Sequence, residues 1–167
     1  PTDDRIIHLV ADNLPKGREL GVLLHEVGVH VGLAKKFKGA FKVLADQVQS
    51  WADAPRGSLE RRVYEAAKAR VDNANPDAAE RSEELVAYAV EEALSEGVTP
   101  DARGVYERMA TWMQNALSYM RNMVREFLGF QPAVTLTPQD LVDFAYGAAQ
   151  ATLGEPIVER AAMSGEP

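Results

Sequence analysis

The stretch that decides the fold runs from Leu23 to Leu33 and reads LLHEVGVHVGL. It places two imidazoles and one carboxylate inside an otherwise apolar run. A helix that is apolar on all sides is normally buried, and an ionisable group that is buried without a partner costs several kcal/mol. A divalent cation would satisfy all three groups, because zinc binds neutral imidazole nitrogen and carboxylate oxygen. The stretch therefore predicts a buried helix that binds a metal through His25 and His30.

The spacing of these two histidines predicts an irregular helix. They are five residues apart, whereas the common H-E-x-x-H motif places its histidines four apart. At about 100° per residue, five steps leave the two rings about 140° apart on a regular α-helix. A locally widened turn of the π-helical kind would bring them together, and Gly28 between two valines makes such a distortion cheap because these residues are weak helix formers. We therefore predict a bulged or over-wide turn at residues 27–29.

Composition indicates an ordinary globular protein. The chain has 167 residues, of which 46% are hydrophobic and 26% charged, and a chain of this length can bury a full core. A net charge of −7 argues against a nucleic-acid surface, which needs clustered Lys and Arg. No apolar run is long enough for a membrane span. With zero cysteines, any metal must be bound by His, Asp or Glu, and a reducing, cytoplasmic compartment fits.

The pattern of apolar residues and helix breakers predicts a mainly α fold of about six helices with a short N-terminal β-strand or hairpin. The strand is Arg5 to Val10, with residues 133–136 as the candidate partner. The predicted helices cover about residues 16–37, 40–52, 58–73, 76–95, 101–128 and 137–153. Residues 154–167 are predicted to be a linker or a disordered tail. Because the chain opens on Pro1, we expect a domain taken from a longer protein and flanked by other domains.

The fifth predicted helix carries a methionine-rich apolar stripe. Met109, Met113 and Met120 follow one another at steps typical of one helix face. Such a stripe is usually core packing, but methionines also form adaptable partner-binding surfaces. The sequence leaves both interpretations open.

A catalytic zinc normally has three protein ligands, so the two histidines need a third. The chain has three histidines, and the remaining one, His8, lies on the predicted strand, where a packing role is the simpler interpretation. The third ligand should then be a carboxylate on another helix, with Glu83 and Glu84 as the candidates. Helical periodicity places Glu83 nearer the apolar face of its helix and Glu84 toward the flank.

The two motifs together carry a resemblance to a known class. His25-Glu26-x-x-x-His30 followed by Glu83-Glu84-x-x-Ala87 resembles the gluzincin zinc peptidases, in particular the dipeptidyl peptidase III family with its H-E-x-x-G-H and E-E-C-R-A-E motifs. The resemblance implies that Glu84 binds zinc and that Glu83 supports a histidine. Val29 stands where that family has glycine. Tyr88 stands where it has a final acid, so one supporting contact lacks its counterpart.

A wider resemblance covers about the first 90 residues. Residues 9–14, 24–33 and 83–88 look like the zincin-like metallopeptidase domain of large phage and mobile-element polyvalent proteins. This implies a metallopeptidase domain over residues 1–153, with its motifs within 9–91 and a helical remainder at 101–153. It also implies a long parent polypeptide that acts in the cytoplasm, or that is packaged in a virion and delivered to the host cytoplasm.

The expected activity is hydrolysis of peptide bonds in a peptide or protein substrate. Zn²⁺ on the three ligands would activate a bound water, with Glu26 as general base. Tyr88, Tyr64 and Tyr119 are candidate donors to the oxyanion. The acidic chain would mildly favour basic substrate segments. Two alternatives are a non-catalytic helical interaction module, with a structural metal or none, and a zinc hydrolase of another amide or ester.

Overall fold

The computed structural model describes residues 17–123 and 134–154, and within these ranges it is helical without any strand. Helix α1 is one continuous run made of Glu19–Leu23, the π-helical segment Leu24–Leu33 and Ala34–Phe37; it is followed by α2 (Gly39–Ser50, extended by a 3₁₀ turn at Trp51–Asp53), α3 (Leu59–Ala74), α4 (Arg81–Ser95), α5 (Val105–Met123) and α6 (Pro138–Leu153). The mainly α prediction with about six helices is confirmed. The predicted strand at residues 5–10, the predicted end of the fifth helix at residues 124–128 and residues 155–167 of the predicted tail lie outside the described residues. Residues 134–136, the candidate strand partner, have no regular secondary structure.

The over-wide turn predicted at residues 27–29 is confirmed, and it extends well beyond those three residues. Ten residues, Leu24–Leu33, are π-helical, a run we call the π segment. At its end the backbone N–H of Ala34 donates to the carbonyl of Val29, five residues back instead of four. Single-turn π-bulges are the usual form and are frequent at functional sites, so a run of this length is unusual.

Helix α6 lies directly against the π segment, and this contact explains why the segment has glycine at positions 28 and 32. A Cβ atom added at Gly28 would lie 2.6 Å from the carbonyl oxygen of Ala145, and one added at Gly32 would lie 2.7 Å from Cβ of Ala148. The sequence suggested that Gly28 makes the helical distortion cheap. The structure gives a second reason, because only glycine lets the two backbones approach this closely.

Helix α6 is the centre of the core. Every residue from Pro138 to Ala149 except Gln139 and Asp140 is buried, and its neighbours are α1, α4 and α5. Its start was predicted correctly at Thr137, where the Thr137 and Asp140 side chains form a reciprocal capping box. This buried helix fixes the π segment from one side, while α4 packs on it as well.

Two helices begin later than predicted. Helix α4 starts at Arg81 instead of near Pro76, because residues 78–80 form a turn in which the carbonyl of Asp77 accepts from the N–H groups of Glu80 and Arg81. Helix α5 starts at Val105 instead of near Asp101. The N–H of Asp101 donates to the buried carboxylate of Asp143 on α6, so a tertiary contact holds that segment outside the helix.

The methionine-rich stripe of α5 belongs to the core. Met109 is buried, and Met113 and Met120 are partly buried against the core. The large apolar side chains that remain exposed in the described ranges are Tyr106 and Leu117. None of the described helices combines the length and the apolar character needed to cross a bilayer.

Candidate metal centre

Helices α1 and α4 bring the two histidines and one glutamate to a single point. Nε2 of His30 lies 3.1 Å from Oε1 of Glu84, and Nε2 of His25 lies 3.5 Å from Oε2 of the same carboxylate. The two imidazole rings are 5.0 Å apart between centroids. His25, His30 and Glu84 therefore form a group whose ligand atoms lie within 4.8 Å of one another and that could hold a metal ion.

The widened helix is what allows this convergence. His25 and His30 both lie in the π segment, and Glu84 lies in the first turn of α4. On a regular α-helix the two rings would point about 140° apart. The wider turn brings side chains five residues apart toward one side, so the unusual spacing and the unusual helix explain each other.

A second carboxylate holds the far side of each ring. Nδ1 of His30 is 2.6 Å from Oε1 of Glu83, and Nδ1 of His25 is 2.7 Å from Oε1 of Glu91. The contact between Glu91 and the buried Nδ1 of His25 is a close charge contact and not a hydrogen bond by its geometry, so this carboxylate acts on the ring through its negative charge. Carboxylates in these positions favour the tautomer that carries its proton on Nδ1 and leaves Nε2 free to bind a metal.

The donor set is of a kind that zinc accepts. Two imidazole nitrogens and one carboxylate oxygen are common ligands of catalytic zinc, with bonds of about 2.0–2.2 Å, and a tetrahedral ion with such bonds separates its ligands by about 3.4 Å. The distances of 3.1 Å and 3.5 Å from the two rings to Glu84 are close to this value but end on different oxygens, and the whole set of ligand atoms spans up to 4.8 Å. A bound ion would therefore draw the three side chains closer together. Oxygen-preferring ions such as Mg²⁺ and Ca²⁺ are less suited to a site with two imidazoles.

Helix α4 is turned so that Glu84, instead of Glu83, faces both rings. Periodicity alone had placed Glu83 nearer the apolar face, whereas the motif resemblance implied Glu84 as ligand and Glu83 as support. The structure gives Glu84 the position between the two Nε2 atoms and gives Glu83 the Nδ1 contact on His30.

Glu26 is adjacent to the triad and open to solvent. Its Oε1 is 3.9 Å from Nε2 of His25, and its side chain is 53% exposed, against 8% for His25. A carboxylate that is close to the ligand atoms and in contact with water has the position that a general base requires.

Tyr88 packs beside the triad, one helical turn beyond Glu84. Its ring meets the His25 ring edge-on, with 4.8 Å between centroids. Burial, and then the negative charge of Glu84, raise the pKa of Tyr88 above its ordinary value. Its hydroxyl therefore remains protonated near neutral pH and can donate a hydrogen bond.

The other two tyrosines considered as oxyanion donors have different surroundings. Tyr64 is buried on α3, and its hydroxyl accepts a hydrogen bond from Gln49 of α2 at 2.7 Å. Tyr119 packs against the core from α5. Neither has a described contact with the triad, so Tyr88 is the candidate that the structure places beside it.

Glu91 is the residue that sequence reasoning missed. It is 7% exposed and lies seven residues after Glu84, which is two turns along the same face of α4. It supplies a carboxylate one turn beyond position 88, where the resembled motif has an acid and this chain has tyrosine. Burial alone would raise the pKa of Glu91, but its close contacts with His25 and Arg70 outweigh burial and lower the pKa below the ordinary value, so the carboxylate is charged near neutral pH.

Comparison of the chain with protein-family models, curated proteins and solved structures finds no match.

Proposed function

We propose that this protein is a zinc-dependent metallopeptidase. One observation carries the proposal: two imidazoles present Nε2 to one shared carboxylate, while a separate carboxylate lies against Nδ1 of each ring. Metal-binding histidines characteristically have this support on the second nitrogen. A set of three protein ligands is also typical of catalytic zinc, because it leaves a fourth position for water or substrate.

In this proposal His25, His30 and Glu84 hold the ion. Zinc, when bound, lowers the pKa of water toward 7 and polarises a carbonyl group. Glu26 takes a proton from the attacking water and then passes it to the leaving amine, which completes the hydrolysis of the peptide bond. The exposure of Glu26 lets its carboxylate reach both solvent and substrate.

Tyr88 is the candidate donor to the oxyanion that forms on the substrate carbonyl. Its hydroxyl keeps its proton near neutral pH, as an ordinary tyrosine does, and the raised pKa of Tyr88 extends this to higher pH. Its ring lies against His25. A positioned donor of this kind stabilises the charge that develops in the transition state.

The charge around the site supports a preference for basic peptide segments. Four carboxylates, those of Glu26, Glu83, Glu84 and Glu91, surround the two histidines. Negative charge on this scale attracts cationic ligands. The resemblance at residues 9–14, 24–33 and 83–88 supports the further proposal that the domain is part of a long phage or mobile-element polypeptide that acts in the cytoplasm.

The alternative is a non-catalytic helical module with a structural metal or none. Its support is the exposure of Tyr106 and Leu117, which are eleven residues apart on α5 and so lie on nearly the same helix face. The enzyme predicts one zinc per chain with an open coordination position. The module predicts a closed site or no metal, together with no hydrolysis.

The test is substitution of the base. Glu26→Gln should retain zinc, because the three ligands are unchanged, and should lower hydrolysis of an unfolded protein substrate by about 100-fold or more. Glu107→Gln, an exposed glutamate on α5, is the matched control and should keep full activity. Zinc content is measured by elemental analysis, and cleavage products by mass spectrometry.

Two results would count against the proposal. Full turnover by zinc-loaded Glu26→Gln would remove this residue as the base. A zinc-loaded wild-type protein that cleaves neither unfolded proteins nor peptide libraries would exclude peptidase activity and favour the module.

A further inference from the structure

Arg70 of α3 contacts the carboxylate that supports His25. Its Nη1 donates to Oε2 of Glu91 at 2.7 Å and to Oε1 of Glu92 at 3.1 Å. The other oxygen of Glu91 lies 2.7 Å from Nδ1 of His25. The Glu91 carboxylate is therefore held between a guanidinium and an imidazole, with one oxygen on each.

Tyr88 holds Arg70 in this position. The guanidinium carbon of Arg70 lies 4.3 Å from the centroid of the Tyr88 ring, within the range of a cation–π contact. The same ring meets His25 edge-on. Arg70 thus contacts two of the side chains that pack against His25, namely Glu91 and Tyr88.

Glu91 needs such a cation. A carboxylate that is only 7% exposed costs several kcal/mol to ionise unless it is paired. A planar guanidinium can stack on an aromatic ring and donate to carboxylates at its edge at the same time, which the ammonium of lysine cannot do as well.

We propose that Arg70 is a positioning residue for the metal centre, which fixes the Glu91 carboxylate and thereby holds His25 with its proton on Nδ1 and Nε2 directed at the metal. This inference rests on the proposed metal-binding function. Arg70 would thus act on the ligand His25 through Glu91, and it does so from α3, a helix that contributes no ligand. Among the described residues, the polar contacts of Arg70 are with Glu91 and Glu92, and none is with His25, His30 or Glu84.

The expected change in zinc affinity can be estimated from substitutions of similar supporting groups in other metal sites. Substituting a group that supports a metal-binding histidine typically lowers metal affinity by about 10–100-fold. Arg70 acts through Glu91, so Arg70→Met should lower zinc affinity by about tenfold, at the low end of that range. In the background of Glu91→Gln, the same change should add less than about twofold, because the carboxylate through which Arg70 acts is gone.

Arg62→Met is the matched control. Arg62 also lies on α3 and also pairs with a glutamate, since its Nε donates at 3.2 Å to Glu96, which caps the C-terminal end of α4. That pair is exposed and touches neither Glu91 nor Tyr88. Arg62→Met therefore removes a bridge between the same two helices without reaching the site, and it should change zinc affinity by less than about twofold.

The experiment measures zinc affinity by competition with a chromophoric chelator for the wild type, the two arginine variants, Glu91→Gln and the double variant. Long-range ¹H–¹⁵N NMR of the metal-free proteins gives the tautomer of His25, which a purely structural role of Arg70 would leave unchanged. Arg70→Met should reduce the fraction protonated on Nδ1. Arg70→Lys, which keeps a cation for Glu91, should recover part of both effects and serves if the methionine variant does not fold.

The proposal is overturned if Arg70→Met behaves like Arg62→Met, or if the effects of Arg70→Met and Glu91→Gln on zinc affinity simply multiply. Neither readout depends on hydrolysis. A protein that binds zinc in an Arg70-dependent way but cleaves no peptide would overturn the peptidase and keep this role of Arg70. If zinc does not bind at all, the role of Arg70 is tested by the tautomer of His25 in the Arg70→Met variant. An unchanged tautomer would overturn the proposal.

Discussion

Replacing Gly28 by alanine tests why a glycine lies between the two histidines. If glycine were needed only to make the wide turn cheap, alanine would be tolerated and would gain helical propensity of up to about 1 kcal/mol. The structure predicts the opposite. The added Cβ would lie 2.6 Å from the carbonyl oxygen of Ala145, about 0.8 Å short of ordinary contact at 3.4 Å.

The expected loss in the free energy of unfolding depends on whether the atoms near the added methyl group can move away. Overpacking a close-packed interior usually costs about 1–3 kcal/mol. The obstacle at Gly28 is a backbone carbonyl of the buried helix α6, which cannot rotate away as the end of a side chain could, so the cost should lie near the upper limit. After subtraction of about 1 kcal/mol for the propensity of alanine, Gly28→Ala should lower the free energy of unfolding by about 2 kcal/mol.

The assay is urea unfolding followed by circular dichroism, with zinc affinity as a second readout. Affinity should fall as well, because separating α6 from the π segment displaces the backbone between His25 and His30. Gly39→Ala is the control, since Gly39 is in the first turn of α2 with open space around its Cα. That variant should be neutral or more stable by about 0.4–1 kcal/mol.

A Gly28→Ala protein that is as stable as the wild type or more stable would refute the role of Gly28 in the close approach of α6. Such a result would mean that α6 yields easily, and that the glycine serves the helical distortion alone. A large loss in Gly39→Ala would show instead that glycine-to-alanine changes destabilise this protein for reasons unrelated to close approach.

Two further predictions concern single carboxylates. Glu84→Gln should weaken zinc binding more than Glu83→Gln does, because only the first substitution removes a ligand. Glu83→Gln removes the support of His30 and should lower zinc affinity by about 10–100-fold. Chelator competition would show the reverse order if Glu83 were the ligand. Asp143→Asn should lower the free energy of unfolding by about 2–3 kcal/mol, because this buried carboxylate accepts from the N–H of Asp101 and from the Arg108 and Gln139 side chains. An unchanged urea midpoint for Asp143→Asn would contradict that account.

The sequence was most informative where local geometry left few solutions. Histidines at positions 25 and 30 cannot share one ion on a regular helix, so their spacing demanded a widened turn, and the turn is present. The extension of the widened turn to ten residues could not be predicted from the sequence of that segment alone. That length goes with the contacts of Gly28 and Gly32 on α6, which lies more than a hundred residues further along the chain.

Tertiary contacts decided what the sequence left open or misjudged. The start of α5 is displaced because Asp101 binds Asp143 on another helix. The choice between Glu83 and Glu84 depends on how α4 is rotated against the π segment, which its own apolar pattern does not determine. Glu91 could have been found from the sequence, since counting two turns on from Glu84 reaches it.

The two tryptophans of the chain have a consequence for experiment. The indole N–H of Trp51 donates to the carbonyl of Leu136 at 3.0 Å, and that of Trp112 donates to the carbonyl of Thr135 at 2.9 Å. Both indoles thus donate to neighbouring carbonyls in the residues that directly precede α6. Intrinsic tryptophan fluorescence should therefore report, without a label, whether these two hydrogen bonds are formed. During unfolding, a change in emission that precedes the loss of helical ellipticity would show that the residues before α6 detach before the helices unfold.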